Sequence, residues 1–183
     1  MKQNIVLGLI AGAMAASVQG ARAQLTALAG QNAEIAAAFD LVFQAEAGSW
    51  AGECRVRNPE NETEWRAIPA EFVITHSANA PHAFAGRYGD EELAGEEIID
   101  RGRRIGVMRS AAGETALNDR IISVRYESPT SYSYTEETTE SGARPIRSTV
   151  TRMGDLQINY QSAPATGVGA RRPVQFCQYR KTG

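Results

Sequence analysis

The chain has 183 residues, a length that suits one domain. Acidic residues outnumber basic ones, 21 to 19, for a formal charge of −2, which argues against the basic face or stripe of a nucleic-acid binder. The same balance argues against electrostatic docking on anionic lipid.

The first residues read as a secretion leader. Met1-Lys2-Gln3-Asn4 carries one positive charge and precedes an uncharged, mostly apolar run from Ile5 to Val18. That run is about 14 residues, whereas a helix spanning hydrocarbon needs roughly 20. Ala21 and Ala23 fit the small-residue pattern of a signal-peptidase site, which predicts cleavage before Gln24 and a signal peptide over residues 1–23. No cysteine stands at the cut and no twin-arginine pair precedes it, so general secretion is the expected route. No later segment is long and apolar enough to span a membrane as a helix. The mature chain would have 160 residues (183 less 23) and 17 basic against 21 acidic residues, a charge of −4. Lys2 and Lys181 are the only lysines of the full chain. With the Ala-rich leader, this bias toward arginine reads as bacterial, and the expected location is periplasmic or secreted.

Residues 31–46 repeat apolar side chains at helical spacing through Ile35, Phe39, Val42 and Phe43, with Asn32 placed to cap the start and Gly48 to follow the end. This predicts one amphipathic helix within an N-terminal segment 24–47. From Trp50 onward the pattern changes to short runs of strand type separated by turn residues. The runs are 50–56, 64–76, 83–88, 96–100, 103–109, 120–128, 131–139, 147–152, 156–162 and 173–180. Pro69 marks an edge, a bulge or a break in the second run. Arg101-Gly102 and Met153-Gly154-Asp155 read as tight turns, and the polar stretch 135–143 as a hairpin tip. No strand–helix alternation is present, so the expected fold class is mostly β, an antiparallel barrel or sandwich over residues 48–183.

The two cysteines, Cys54 and Cys177, are an even count in an exported chain, and an oxidising compartment favours their pairing. The bond would close a loop of about 124 residues, worth on the order of 4–5 kcal/mol by chain entropy. It would also set the first and last strands side by side. A barrel requires that adjacency, because closure pairs the two ends of the sheet. A sandwich permits it.

Gly48-Ser49-Trp50 stands between the predicted helix and the first strand. With the number of strands, this triplet resembles the lipocalin-like (calycin) barrels, which carry a Gly-x-Trp motif at the start of strand one. The resemblance implies that Trp50 packs across the closed end of the barrel, beneath an arginine of the last strand, and Arg180 is the position that matches. Regular alternation puts Cys54 on the face of Trp50 and Arg180 on the face opposite Cys177. If the two cysteines share a face, Trp50 and Arg180 meet only through a bulge. The resemblance further implies a binding function, since barrels of eight or more strands can hold one small ligand. Alternation in the second run sets Phe72 and Ile74 on one face, with Trp65, Val73 and Thr75 near the other. Trp65, Phe72 and Ile74 are the ligand-binding candidates.

Other chemistry finds little support. His76 and His82 lack a third ligand for zinc and read as solvent-facing loop residues. Asp90-Glu91-Glu92, Glu96-Glu97 and Glu136-Glu137 lack the ligand pattern of calcium loops and read as solvated. There is no nucleophile elbow and no Ser-x-x-Lys pair, and a disulfide would leave no cysteine nucleophile. No catalytic residue, metal site or cofactor is expected. The functional expectation is an exported, non-enzymatic barrel binding a small apolar ligand or lipid. The alternatives are an envelope accessory domain with a filled core and a protein partner, and a barrel-based hydrolase or isomerase.

Overall fold

A computed structural model describes residues 33–58, 63–77, 81–138, 145–165 and 169–183. The expected signal peptide lies outside the described residues, as do Asn32 and the end of the 135–143 tip. By contact the chain divides into Met1–Glu34 and Ile35–Gly183, and the strands described below all lie in the second unit. Among the described residues one helix, α1, covers residues 33–46.

The described residues then form ten strands in a meander: β1 (Gly48–Arg57), β2 (Trp65–Thr75), β3 (His82–Tyr88), β4 (Glu91–Asp100), β5 (Arg103–Ser110), β6 (Gly113–Ser128), β7 (Ser131–Thr138), β8 (Ile146–Met153), β9 (Leu156–Pro164) and β10 (Arg171–Lys181). Each pairs antiparallel with its neighbours in sequence, and β1 pairs with β10, so the sheet closes into a barrel. Cys54 stands opposite Cys177 in that closing register, and the two are bonded. Both are fully buried, so the cross-link lies on the inner face.

Alternation decides which side chains enter the barrel. On β2, Ile68, Ala70, Phe72 and Ile74 turn inward, while Ala67, Pro69, Glu71 and Val73 are exposed. Pro69 sits on the outer face of an unbroken strand, and its carbonyl accepts from the Gly89 amide at 2.8 Å. The turn at Arg101-Gly102 has positive φ at both positions, 48° and 75°, the primed-turn geometry that follows the twist of a hairpin. At Gly52 and Gly106 the neighbouring strand comes so close that a Cβ would run into the Gln178 or the Glu96 carbonyl oxygen. Glycine there lets the sheet coil tightly enough to close.

Two strands differ from the sequence reading. β4 begins at Glu91, five residues early, and β6 extends back to Gly113. In both extensions the inward face carries little apolar surface, so the period-two signal is weak. β7 runs to Thr138, as the 131–139 run predicts, so the overlapping reading of residues 135–138 as hairpin tip gives way to strand.

Connections alternate between the two ends of the barrel, and α1 covers the end that holds the β2–β3, β4–β5, β6–β7 and β8–β9 turns. Phe39, Val42 and Phe43 of α1 are buried against inward residues Ile121, Tyr132, Tyr134 and Val150. A second buried cluster, Trp50, Cys54, Ala70, Cys177 and Tyr179, fills the wall where the barrel closes. Cys54→Ser should lower unfolding free energy by about 4 kcal/mol, because the bond restrains a loop of more than a hundred residues in the unfolded chain. Denaturant titrations with and without reductant measure it, and an unchanged midpoint would show that strand pairing alone holds the ring.

Candidate functional site

The end of α1 is built from donors supplied by the barrel. A helix leaves its last carbonyls without partners and carries partial negative charge there. The Trp50 Nε1–H donates to the Glu46 carbonyl at 2.8 Å, Arg152 Nη1 to that of Ala45 at 2.6 Å, and Lys181 Nζ to that of Ala47 at 2.7 Å. The Arg152 guanidinium lies 4.9 Å from the Trp50 ring centroid, in cation–π contact. Trp50 thus closes this end beneath a cation. The cation is Arg152 of β8, with Lys181 at 5.7 Å, and it is not Arg180. Arg180 is exposed on the outer face, opposite in phase to Cys177, as regular alternation requires.

This capping fixes Glu46 so that its carboxylate enters the barrel, where it accepts from the hydroxyls of Tyr134 at 3.3 Å and Tyr132 at 3.5 Å. Tyr132, Tyr134 and Glu136 are successive inward residues of β7. Next to them Arg104 of β5 donates to Glu136 Oε1 at 2.7 Å and to Asp119 Oδ2 at 2.8 Å, with Glu97 Oε2 at 3.6 Å. Three carboxylates therefore converge on one guanidinium, and its charge also acts on Glu46.

The electrostatics follow from that count. Burial pushes the Glu46 carboxyl up to about 8, against the pull of Arg104 and with the added repulsion of Glu97 and Glu136. Burial likewise raises Glu136 to about 7, helped by Asp119 and Glu97. Glu97 is raised for the same reason. Burial opposes the charge on Arg104, yet Glu136, Glu97, Tyr134 and Asp119 hold it well above its ordinary value. Glu97 Oε2, Asp119 Oδ1 and Glu136 Oε2 make no hydrogen bond among the described residues.

Beside this cluster lies an interior cavity of about 290 Å³. Phe72, Ile74, Phe84, Leu93, Met108 and Leu117 form an apolar wall, and Glu46, Glu97, Arg104, Tyr134, Gln157 and Asn159 a polar one. Of the three residues singled out from the sequence, Phe72 and Ile74 border this cavity and Trp65 does not. Trp65 is 40% exposed, on the outer phase of β2, with the Arg57 guanidinium 5.3 Å from its ring. A larger concavity of about 910 Å³ lies across β1–β5 and includes the outward residues Glu71, Val73 and Arg87, away from the buried cluster.

The polar wall was not visible in the sequence. Glu97 and Glu136, read there as solvated, are 7% and 4% exposed. The signal that could have found Glu136 is alternation, since it shares a face with Tyr132 and Tyr134. His82 also differs from the sequence reading. It is buried and stacked on Phe43 of α1 at 4.4 Å, and its Nδ1 lies 2.8 Å from that of His76. Burial, then His76, lowers its pKa. Among the described residues no group of three or more His, Cys, Asp or Glu is placed to hold a metal. Asp90, Glu91 and Glu92 are exposed at the β3–β4 turn.

No known protein family and no curated protein sequence matches the chain. Among solved structures it is similar to Rv2717c from M. tuberculosis, with a TM-score of 0.52 and 12% identity, over 76% of this chain and 94% of that one. At that identity the likeness is one of fold, a closed antiparallel barrel. The expected barrel is present, and the finer resemblance to lipocalin-like proteins has no support from these comparisons.

The raised carboxyls make stability fall as pH rises. Unfolded, the Glu46 carboxyl loses its proton near 4.5; folded, it does so near 8, so between these values the folded state holds the extra proton. Stability from this group is complete below pH 4.5 and is lost as pH climbs through 8. Glu46→Gln keeps a neutral group there and should remove most of that loss, a gain on the order of a few kcal/mol at pH 8.5. His82 acts in the opposite sense, costing stability as pH drops below 6.5. Melting curves of both proteins from pH 5 to 9 test this, and parallel profiles would show that Glu46 is not the titrating group.

Proposed function

We propose that this protein is an exported binding module that holds a small molecule with an apolar body inside its barrel. The observation that carries the reading is the interior cavity of about 290 Å³, with an apolar wall facing a few fixed polar groups. That composition is typical of small-molecule sites, and the volume is at the small end of their range. Export is supported by the leader pattern in residues 1–23 and by the Cys54–Cys177 bond, which an oxidising compartment favours. Charges such as Glu53, Arg55, Arg87, Glu96, Arg125 and Arg180 are exposed on the outer face. Outward charges of this kind are costly against lipid, so an aqueous periplasmic or secreted setting suits the barrel.

A second reading, an acid–base enzyme, is favoured by one observation. Glu46 borders the cavity with its pKa moved to about 8, and displaced titratable groups in a cavity are candidates for proton transfer.

Filling the cavity tests the first reading. Leu117 points inward opposite Gly106, where the facing strand has no side chain. Leu117→Trp, with Leu117→Phe as a milder variant, should abolish any small-molecule adduct seen by native mass spectrometry of the purified protein, while circular dichroism stays that of a barrel. If mass is unchanged by organic extraction in the parent protein, and no adduct forms on incubation with alkyl probes, the binding reading fails.

A further inference from the structure

The cavity's charge is one-sided, and this bears on what could enter it. Glu46, Glu97, Asp119 and Glu136 face a single cation, Arg104. Arg104 is already committed, donating to Glu136 and Asp119 at 2.7 and 2.8 Å. The next cations are committed as well. Arg152 holds the carbonyls of Ala45 and Gly154 and lies over Trp50, and Lys181 holds that of Ala47. Arg104 Nε makes no hydrogen bond, but it already faces Glu97 Oε2 at 3.6 Å, so an entering carboxylate would meet acceptors in excess of donors. Without a partner a buried charge is strongly disfavoured.

Acceptor capacity, in contrast, is left over. Glu97 is 93% buried on the basis of its 7% exposure, borders the cavity, and its Oε2 makes no hydrogen bond among the described residues. It stands opposite His82 on one strand pair and opposite Gly106 on the other, where the strands approach too closely for a side chain. The Glu46 carboxylate approaches the same cavity from α1. A buried acceptor without a donor is costly, and a ligand donor that reaches it recovers that cost.

Resting on the binding reading above, we infer that the ligand's polar end is a cation, a protonated amine on an apolar body, held by the Glu97 and Glu46 carboxylates. The apolar body lies against Phe72, Phe84, Leu93 and Leu117. The charged groups facing Glu46 are Arg104 of β5, Glu97 of β4 and Glu136 of β7, with the phenols of Tyr132 and Tyr134 beside it. Burial, Glu97 and Glu136 disfavour its ionisation and outweigh the pull of Arg104 and the Tyr134 hydrogen bond, so an incoming ammonium supplies the missing positive charge and displaces a proton. Binding should then tighten from pH 6 to 8.5 and release protons.

Calorimetric titration of the purified protein with octylammonium, octanoate and 1-octanol decides the matter, since the three share a chain and differ in the polar end. Octylammonium should bind at least tenfold tighter than octanoate at pH 8, and its heats should differ between buffers of unlike ionisation enthalpy as released protons are taken up. Glu97→Gln should weaken octylammonium about tenfold and leave 1-octanol within twofold. The unchanged octanol binding confirms that the variant folds. If octanoate or octanol binds as tightly as octylammonium, the cation is wrong and the binding reading stands. If none of the three binds, the binding reading falls and this inference with it. Should Glu97→Gln not fold, the pH profile and buffer dependence of the parent protein decide alone, and an affinity flat from pH 6 to 8.5 overturns the proposal.

Discussion

Everything in this protein depends on the pairing of β1 with β10. Until those strands meet, the sheet has two raw edges and an inner face that nothing covers. Their register sets Cys54 opposite Cys177, and the bond between them is buried on the inner side of the seam. Closing a chain of this length is entropically expensive, and the contacts it rewards are remote in sequence. The cross-link removes most of that expense from the unfolded ensemble. Glycines at Gly52 and Gly106 let the strands coil close enough for the ring to shut.

Closure creates a second demand, which α1 meets. One end of the ring is filled by the apolar face of the helix, and the barrel in turn satisfies the helix's last carbonyls with Trp50, Arg152 and Lys181. The two elements complete each other. The same contacts aim Glu46 inward, so that the covering of the barrel also supplies part of its polar wall. Helix docking and the electrostatics of the interior are therefore one arrangement.

The interior is unusual in what it keeps dry. Carboxylates are rarely buried without partners, and here three share one guanidinium with a fourth, Glu46, held by tyrosine hydroxyls beside them. Such a cluster costs stability relative to an apolar filling. The cost falls beside a cavity and not in a packed core, which is where function, not folding, would place it. Rv2717c shares the barrel at 12% identity, too low to carry its interior chemistry across.

What the sequence determined by itself follows from local and pairwise rules. Period-two alternation marked most strands, helical spacing marked α1, and an even cysteine count joined the ends of the sheet. Alternation also showed that Phe72 and Trp65 lie on different faces, but not which face is inside. That choice belonged to the tertiary structure, because only closure says which side of a strand meets nine others. The same step turned Glu97 and Glu136 from apparent surface residues into the inner wall, and put Arg152 in place of Arg180 over Trp50. A polar inward face looks like a solvated one in sequence, since residue type records polarity and not which side of the sheet water is on.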